Sequence, residues 1–248
     1  MAVHVEPSGD GDAIRVVTLD RPERRNALDH ATLEALLGAL GDLPAATRAV
    51  VLTGAGGFFC AGADLTTVED EGFVALLRSV LQAMRSVPVP VLAAIEGPAL
   101  GAGTQLALAA DLRVATADVS FGIPAAKLGL TVDQWTVDQL VVAAGDGPAR
   151  GLLLGVEVLR GSDLHRTGFV HRLVEPGSAL DAALAWATEL ADLAPLTLAA
   201  HKLMLAASTG VVGAAEAAAA RDRAWASADL QEGLAAFQAR RRPDFTGR

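Results

Sequence analysis

The sequence predicts an α/β fold in which stacked ββα-like units surround a largely parallel sheet and a helical region follows. Three observations carry this. Short β-branched runs alternate with helical patterns as far as about residue 177, several of them ending in a glycine loop. The strand, glycine loop and helix recur at roughly 35 to 45 residues, the spacing of a repeated supersecondary unit. From residue 178 onward alanine-rich helical patterns stand alone.

In chain order, "AIRVVTLD" (13–20) has strand composition and "RPERRNALD" follows as a polar loop. Asp29 is placed to cap a helix in which Leu33, Leu36, Leu37 and Leu40 recur at helical spacing. "RAVVLTG" (48–54) reads as a buried strand, followed by the loop "AGGFFCAGADL" and a helix over 68–86. "VPVLAAIEG" (89–97) is another strand into a glycine. A helix over about 102–110 and the strand "LRVAT" (112–116) continue the alternation. The tail predicts helices over 179–193, 196–208, 213–227 and 229–241, broken at Pro195 and Gly210. The organisation is a core of residues 1–177 and a helical region of residues 178–248, whose amphipathic helices suit subunit contacts.

Composition narrows the function. The chain of 248 residues is 52% apolar, enough for a sizeable core. A net charge of −9 argues against a nucleic-acid partner, and a local phosphate-binding patch must be built from arginine, because Lys127 and Lys202 are the only lysines. The single cysteine, Cys60, precludes an intrachain disulfide and suits a reducing compartment. No apolar run reaches the ~18 residues of a membrane span and no secretory leader is evident, so a cytoplasmic location is expected. No metal-ligand spacing, GxSxG elbow or Walker loop is present, and Leu106 occupies the third glycine position of a dinucleotide fingerprint. Cys60, His30, His165, His171 and His201 form no catalytic spacing.

Two loops bring small residues together. In "GGFFCAGADL", Ala61, Gly62 and Ala63 allow close approach to backbone N–H groups, and Asp64 follows as an acceptor or a cap. In "GPALGAGTQLALAADL" a helix opening near Ala102 offers unpaired N–H groups at its positive end. Each is equally readable as a tight turn. Asp133 in "LGLTVDQW" is either a helix N-cap or a proton-transfer carboxylate, and Trp135 is core or the wall of an apolar tunnel.

The runs "LDRPERRNALD", "FFCAGADL", "IEGPALGAGTQLALAADLRVAT" and "FGIPAAKLGL", in this order across essentially the whole chain, resemble the crotonase (enoyl-CoA hydratase/isomerase) superfamily. The resemblance implies a spiral of ββα units, a C-terminal helical region for trimerisation, a homotrimer or dimer of trimers, and acyl-CoA as ligand with no separate cofactor. It implies that the Ala63 and Ala102 N–H groups grip the thioester oxygen, with Arg24, Arg25 and Asp64 near the adenosine end. Ala61, Leu65, Leu100, Leu128 and Trp135 are implied as further contacts with the ligand.

In hydratases of this family two glutamates move the protons. The matching positions here are Gln105 and Ala125. An amide exchanges no proton at neutral pH, and a methyl offers none, so little or no hydratase activity is expected. This pattern resembles a non-catalytic, fatty acyl-CoA-binding branch found in actinobacteria. The alternative is an isomerase or related thioester enzyme using Asp133 as acid/base.

Overall fold

The computed structural model describes residues 2–64 and 71–248. The elements run β1 (Val3–Ser8), β2 (Ile14–Leu19), α1 (His30–Gly41), β3 (Ala49–Gly54), α2 (Glu71–Ser86), β4 (Val91–Ile95), β5 (Ala99–Leu100) and α3 (Ala102–Ala109). They continue with β6 (Leu112–Thr116), β7 (Ser120–Gly122), α4 (Gln134–Ala144), α5 (Asp146–Leu153), β8 (Val158–Arg160), α6 (Gly161–Arg166) and β9 (Arg172–Val174). Helices α7 (Ala179–Ala191), α8 (Pro195–Ser208), α9 (Ala214–Trp225) and α10 (Ala228–Ala239) close the chain.

Among the described residues, a six-stranded sheet has the order β1-β2-β3-β4-β6-β9, and only β1 runs antiparallel to its neighbour. Strands covered on both faces read as unbroken apolar runs, which is why "AVVL" and "VLAAI" show no polar alternation. Their side chains nonetheless separate by parity. Val17, Val50, Leu52, Ala93 and Ile95 face the core shared with α1, α2 and α3. Ile14, Ala49, Val51, Leu92, Ala94 and Val114 face Ala179, Ala183 and Ala187 of α7. These alanines, four residues apart, let the helix lie close on the sheet. The compositional change at residue 178 therefore begins with a helix that belongs to the core, and the helices that add no residue to either core cluster start at α8.

A second sheet of three strands, β5-β7-β8, sits beside the first. It was not foreseen, because strands of two or three residues carry too little periodicity to read. Strand β1 was missed as well; its Pro7 is tolerated because β1 is an edge strand.

Lysine 202 fastens α8 to the core. Its ammonium pairs with Asp111 at 2.7 Å and donates to the carbonyls of Met84 (2.9 Å) and Val89 (3.0 Å). No single helix among the described residues is long and apolar enough to cross a membrane.

Candidate functional site

The site forms where the loop after β3 meets the start of α3. Two isolated parallel bridges, Leu28 with Ala63 and Cys60 with Ala99, lace this loop to its neighbours. Around Ala63 the bonds run from Leu28 N–H to Gly62 O (2.8 Å) and from Asp64 N–H to Leu28 O (2.7 Å). Flanking residues therefore make the bridge, and the Ala63 N–H is turned to the opposite side. No backbone acceptor for it is found among the described residues.

The opposite side is the first turn of α3. A Cβ at Gly62, whose φ is +107°, would lie 2.8 Å from Leu100 O and 3.7 Å from Ala102 N. A Cβ at Gly103 would overlap the Cys60 carbonyl. Only glycine permits both approaches. Ala102 is the first residue of α3, where an N–H has no intrahelical partner. Ala63 and Ala102 thus border one cavity of about 190 Å³, together with Ala61, Gln105, Ala125 and Leu128. Phe73, Val74, Leu77 and Ile123 complete an apolar wall. Asp, Glu, His and Cys are absent from the described residues lining it.

Helix α3 is fixed at both ends. Thr104 Oγ1 bonds the carbonyls of Ala99 (2.6 Å) and Gly122 (2.9 Å), holding the first turn to β5 and β7. At the far end the buried Arg113 donates to Ala107 O (3.0 Å) and Ala110 O (2.7 Å) and lies 4.8 Å from the Phe169 ring centre. Burial pulls its guanidinium down to about 10, partly offset by Asp111. Cys60, wholly enclosed under the loop, is pushed up to about 12 by burial.

Gln105 is buried, and its Nε2 donates to Thr136 Oγ1 at 2.7 Å. The polarity is forced. Thr136 Oγ1 also lies 2.7 Å from Asp133 Oδ1, a carboxylate that can only accept, so its one hydrogen points there. Asp133 Oδ1 accepts from the Thr136 N–H as well (3.0 Å), making Asp133 the N-cap of α4. Its Oδ2 lies 3.5 Å from Arg78 Nε. Of the two roles expected for Asp133, N-cap or acid/base, the bonds to Oδ1 supply the cap, and the residue lines a separate cavity beside Trp135. The reason is local: the Asp-Gln-Trp-Thr order sets a carboxylate three residues before an N–H that needs an acceptor.

Other expected contacts divide. Trp135 also borders the second cavity, under Arg85 at 5.6 Å. Leu100 lies outside the first cavity's lining; its backbone pairs with Cys60 and its side chain abuts Gly122. Arg24 and Arg25 are exposed, with Arg25 stacked 5.8 Å from the Phe58 ring centre. Asp64 turns its carboxylate toward Arg21, 3.7 Å away. Leu65 lies outside the described residues.

Arg21, the first of the three arginines of "RPERRN" that offer forked donors to a phosphate, is turned inward: it pairs with Asp29 at 2.8 Å and bonds Ala27 O. Two further contributors were missed, Asn26 and Thr136. Asn26, buried in the left-handed region at φ +56°, donates to Ala55 O and Phe58 O and accepts from Arg21 N–H. Asn tolerates that conformation, a signal available in "RRNAL". Thr136 is visible as the third residue after a capping aspartate.

The enoyl-CoA hydratase/isomerase family model matches residues 9–248. "Probable enoyl-CoA hydratase echA6" of Mycobacterium tuberculosis (strain CDC 1551 / Oshkosh) is 41% identical over 245 residues, covering 95% of this chain and 97% of its own. "2,3-dehydroadipyl-CoA hydratase" of Escherichia coli K12 is 34% identical over 249 residues, covering 95% and 96%. The crystal structure of an enoyl-CoA hydratase from Mycobacterium tuberculosis H37Rv superposes with a TM-score of 0.90 at 36% identity, covering 100% of this chain and 99% of that one. The mixed α/β architecture, the two laced loops and these matches agree: the chain belongs to the enoyl-CoA hydratase/isomerase family of the crotonase superfamily.

Proposed function

We propose that this protein binds fatty acyl-CoA, with the thioester oxygen between the Ala63 and Ala102 N–H groups, and has little or no hydratase activity. The observation that carries the reading is the cavity lining. Gln105 and Ala125 stand where the family's proton-transferring glutamates are expected, and the described lining residues include no titratable group. Preorganised N–H groups bind and polarise a thioester, whereas hydration also needs a base for water and an acid for carbon. Gln105 is a neutral donor in the wall and Ala125 leaves room for the chain. An isomerase working through Asp133 would have to use Oδ2, now 3.5 Å from Arg78 Nε, in the second cavity rather than beside Ala63 and Ala102.

The test pairs calorimetric titration with short to long acyl-CoA thioesters and a crotonyl-CoA hydration assay. Binding without turnover is expected. Rapid hydration by the parent protein would sink the non-catalytic reading, and no binding of any thioester would sink the ligand assignment.

We also infer a homotrimer or dimer of trimers built on α8–α10, supported by Leu205, Trp225 and Phe237, which are 70%, 70% and 84% exposed on one chain. Sedimentation as a monomer at micromolar concentration would count against it.

A further inference from the structure

Beyond the thioester cavity lies a larger one of about 530 Å³, between α2, the start of α4 and the α8–α9 corner. The two follow one another along the same walls. Leu77 and Val132 line the first, and the adjoining Arg78, Leu81 and Asp133 line the second. From Leu77 to Arg85 the rise of α2 amounts to about 12 Å. Adjoining residues of α2 and of the 132–133 segment therefore line the two cavities in turn.

The second cavity contains an arginine short of acceptors. Arg85 donates through Nη1 to Gln139 Oε1 at 3.2 Å, while Arg85 Nε and Gln139 Nε2 are buried without any hydrogen-bond partner. Both orphans are donors, and flipping the Gln139 amide would set a donor against Nη1. The carboxylate behind Arg85 is already taken, since Asp111 Oδ2 accepts from Lys202 Nζ (2.7 Å) and from Val91 N–H (2.8 Å). Arg85, Lys202 and Arg113 all feel that one carboxylate, so the neighbourhood is left positive. The cavity's own acids do not redress this. Asp133 is occupied by Arg78 and the α4 cap, and Glu216 sits on the exposed start of α9.

We propose that the second cavity takes the far end of the acyl chain and that Arg85 recognises an oxygen anion there, so that the ligand class is an acyl-CoA ending in a carboxylate. A guanidinium meets a carboxylate with forked, charge-assisted bonds, whereas a terminal methyl leaves it unpaired. The inference rests on the acyl-CoA reading above and narrows it.

The experiment titrates the full chain with pairs of acyl-CoA thioesters of equal carbon number, one ending in a methyl and one in a carboxylate, over increasing length. Once the chain reaches Arg85, the carboxylate-ended member is expected to bind about tenfold more tightly. In Arg85→Met the ratio is expected to fall to near one. The paired comparison on the parent protein stands even if that variant folds poorly. Equal or weaker binding of the carboxylate-ended member at every length would mean that Arg85 does not meet the chain end, and would overturn the inference. Failure of both members to bind would overturn the acyl-CoA reading itself and this inference with it.

Discussion

Gln105 and Thr136 are joined by a 2.7 Å hydrogen bond in which the amide donates and the hydroxyl accepts. Its direction is set one step further on, where the same hydroxyl gives its hydrogen to Asp133. The chain from Asp133 through Thr136 to Gln105 couples the cap of α4 to the helix that presents the Ala102 N–H. It also makes position 105 selective for a donor, since an ionised carboxylate there would confront an oxygen with no hydrogen to spare.

Gln105→Glu should therefore destabilise the protein in a pH-dependent way. The introduced carboxyl can donate only while protonated, so folding raises its pKa above the ordinary ~4.3. Below that value the variant should approach the parent. As pH rises from about 4.3 through the raised folded value, the unfolded chain ionises first and stability is lost, levelling at a deficit of about 1–3 kcal/mol. Urea unfolding of both proteins at pH 4.5 and pH 8 checks this. A deficit that is constant with pH would show that Thr136 turns freely.

Lys202→Met should loosen α8 from the core. Its side chain is 10% exposed and the ammonium meets Asp111 and two carbonyls, so its removal takes a donor from three acceptors and leaves Asp111 with the Val91 N–H. Breaking a buried, hydrogen-bonded pair from one side costs about 3 kcal/mol. The unfolding midpoint should fall accordingly, and amides of α8 should exchange faster than those of β3 and β4. Uniform acceleration over the whole chain would mean that the link is not local.

The limits of sequence reading follow the same physics. Strands β2, β3, β4 and β6 were legible because each is a short run rich in aliphatic and β-branched residues, and the tail helices because alanine and leucine repeat at helical spacing. The partition of the sheet was not, since Val50 and Val51 look alike in sequence while facing opposite cores. At the site, backbone features were legible: glycines at 62 and 103 announce close approach. Side-chain roles were less so, because Asp133 satisfies both a capping pattern and a catalytic one, and the sequence does not show that its neighbours are Thr136 and Arg78. Arg85 carried no sequence signal, because its lack of acceptors arises from α4 and α8 folding over it.

His171 should shape the acid limb of stability. Burial first, then Arg113 and His165, lower it from 6.5 to about 4. A histidine depressed on folding is protonated more readily in the unfolded chain, so stability should decline as pH falls from about 6.5 and level off below about 4. His171→Gln should flatten that limb between pH 6.5 and 4.5, measured as the change in urea midpoint. An unchanged slope would assign the acid sensitivity to other groups.

Restoring two carboxylates tests how much chemistry the cavity can still support. Gln105 and Ala125 border the same space as the Ala63 and Ala102 N–H groups, so Gln105→Glu with Ala125→Glu would place both beside a bound enoyl thioester. Either change alone should yield almost no crotonyl-CoA hydration, because groups acting as a unit are strongly non-additive. The pair should exceed the parent by about 10²-fold, the lower end of general acid/base assistance. It should remain held back by Thr136, whose hydrogen is committed to Asp133 and does not hold the new carboxylate in place. Adding Asp133→Ala should release it. With no Oδ1 to accept its hydrogen, the Thr136 hydroxyl is free to donate toward position 105, at the cost of the α4 cap, about 1 kcal/mol. The triple variant should therefore hydrate faster than the double while unfolding more easily. The rate is followed by loss of enoyl absorbance in parent, single, double and triple variants. A triple no faster than the double would show that the donor chain has no hold on position 105.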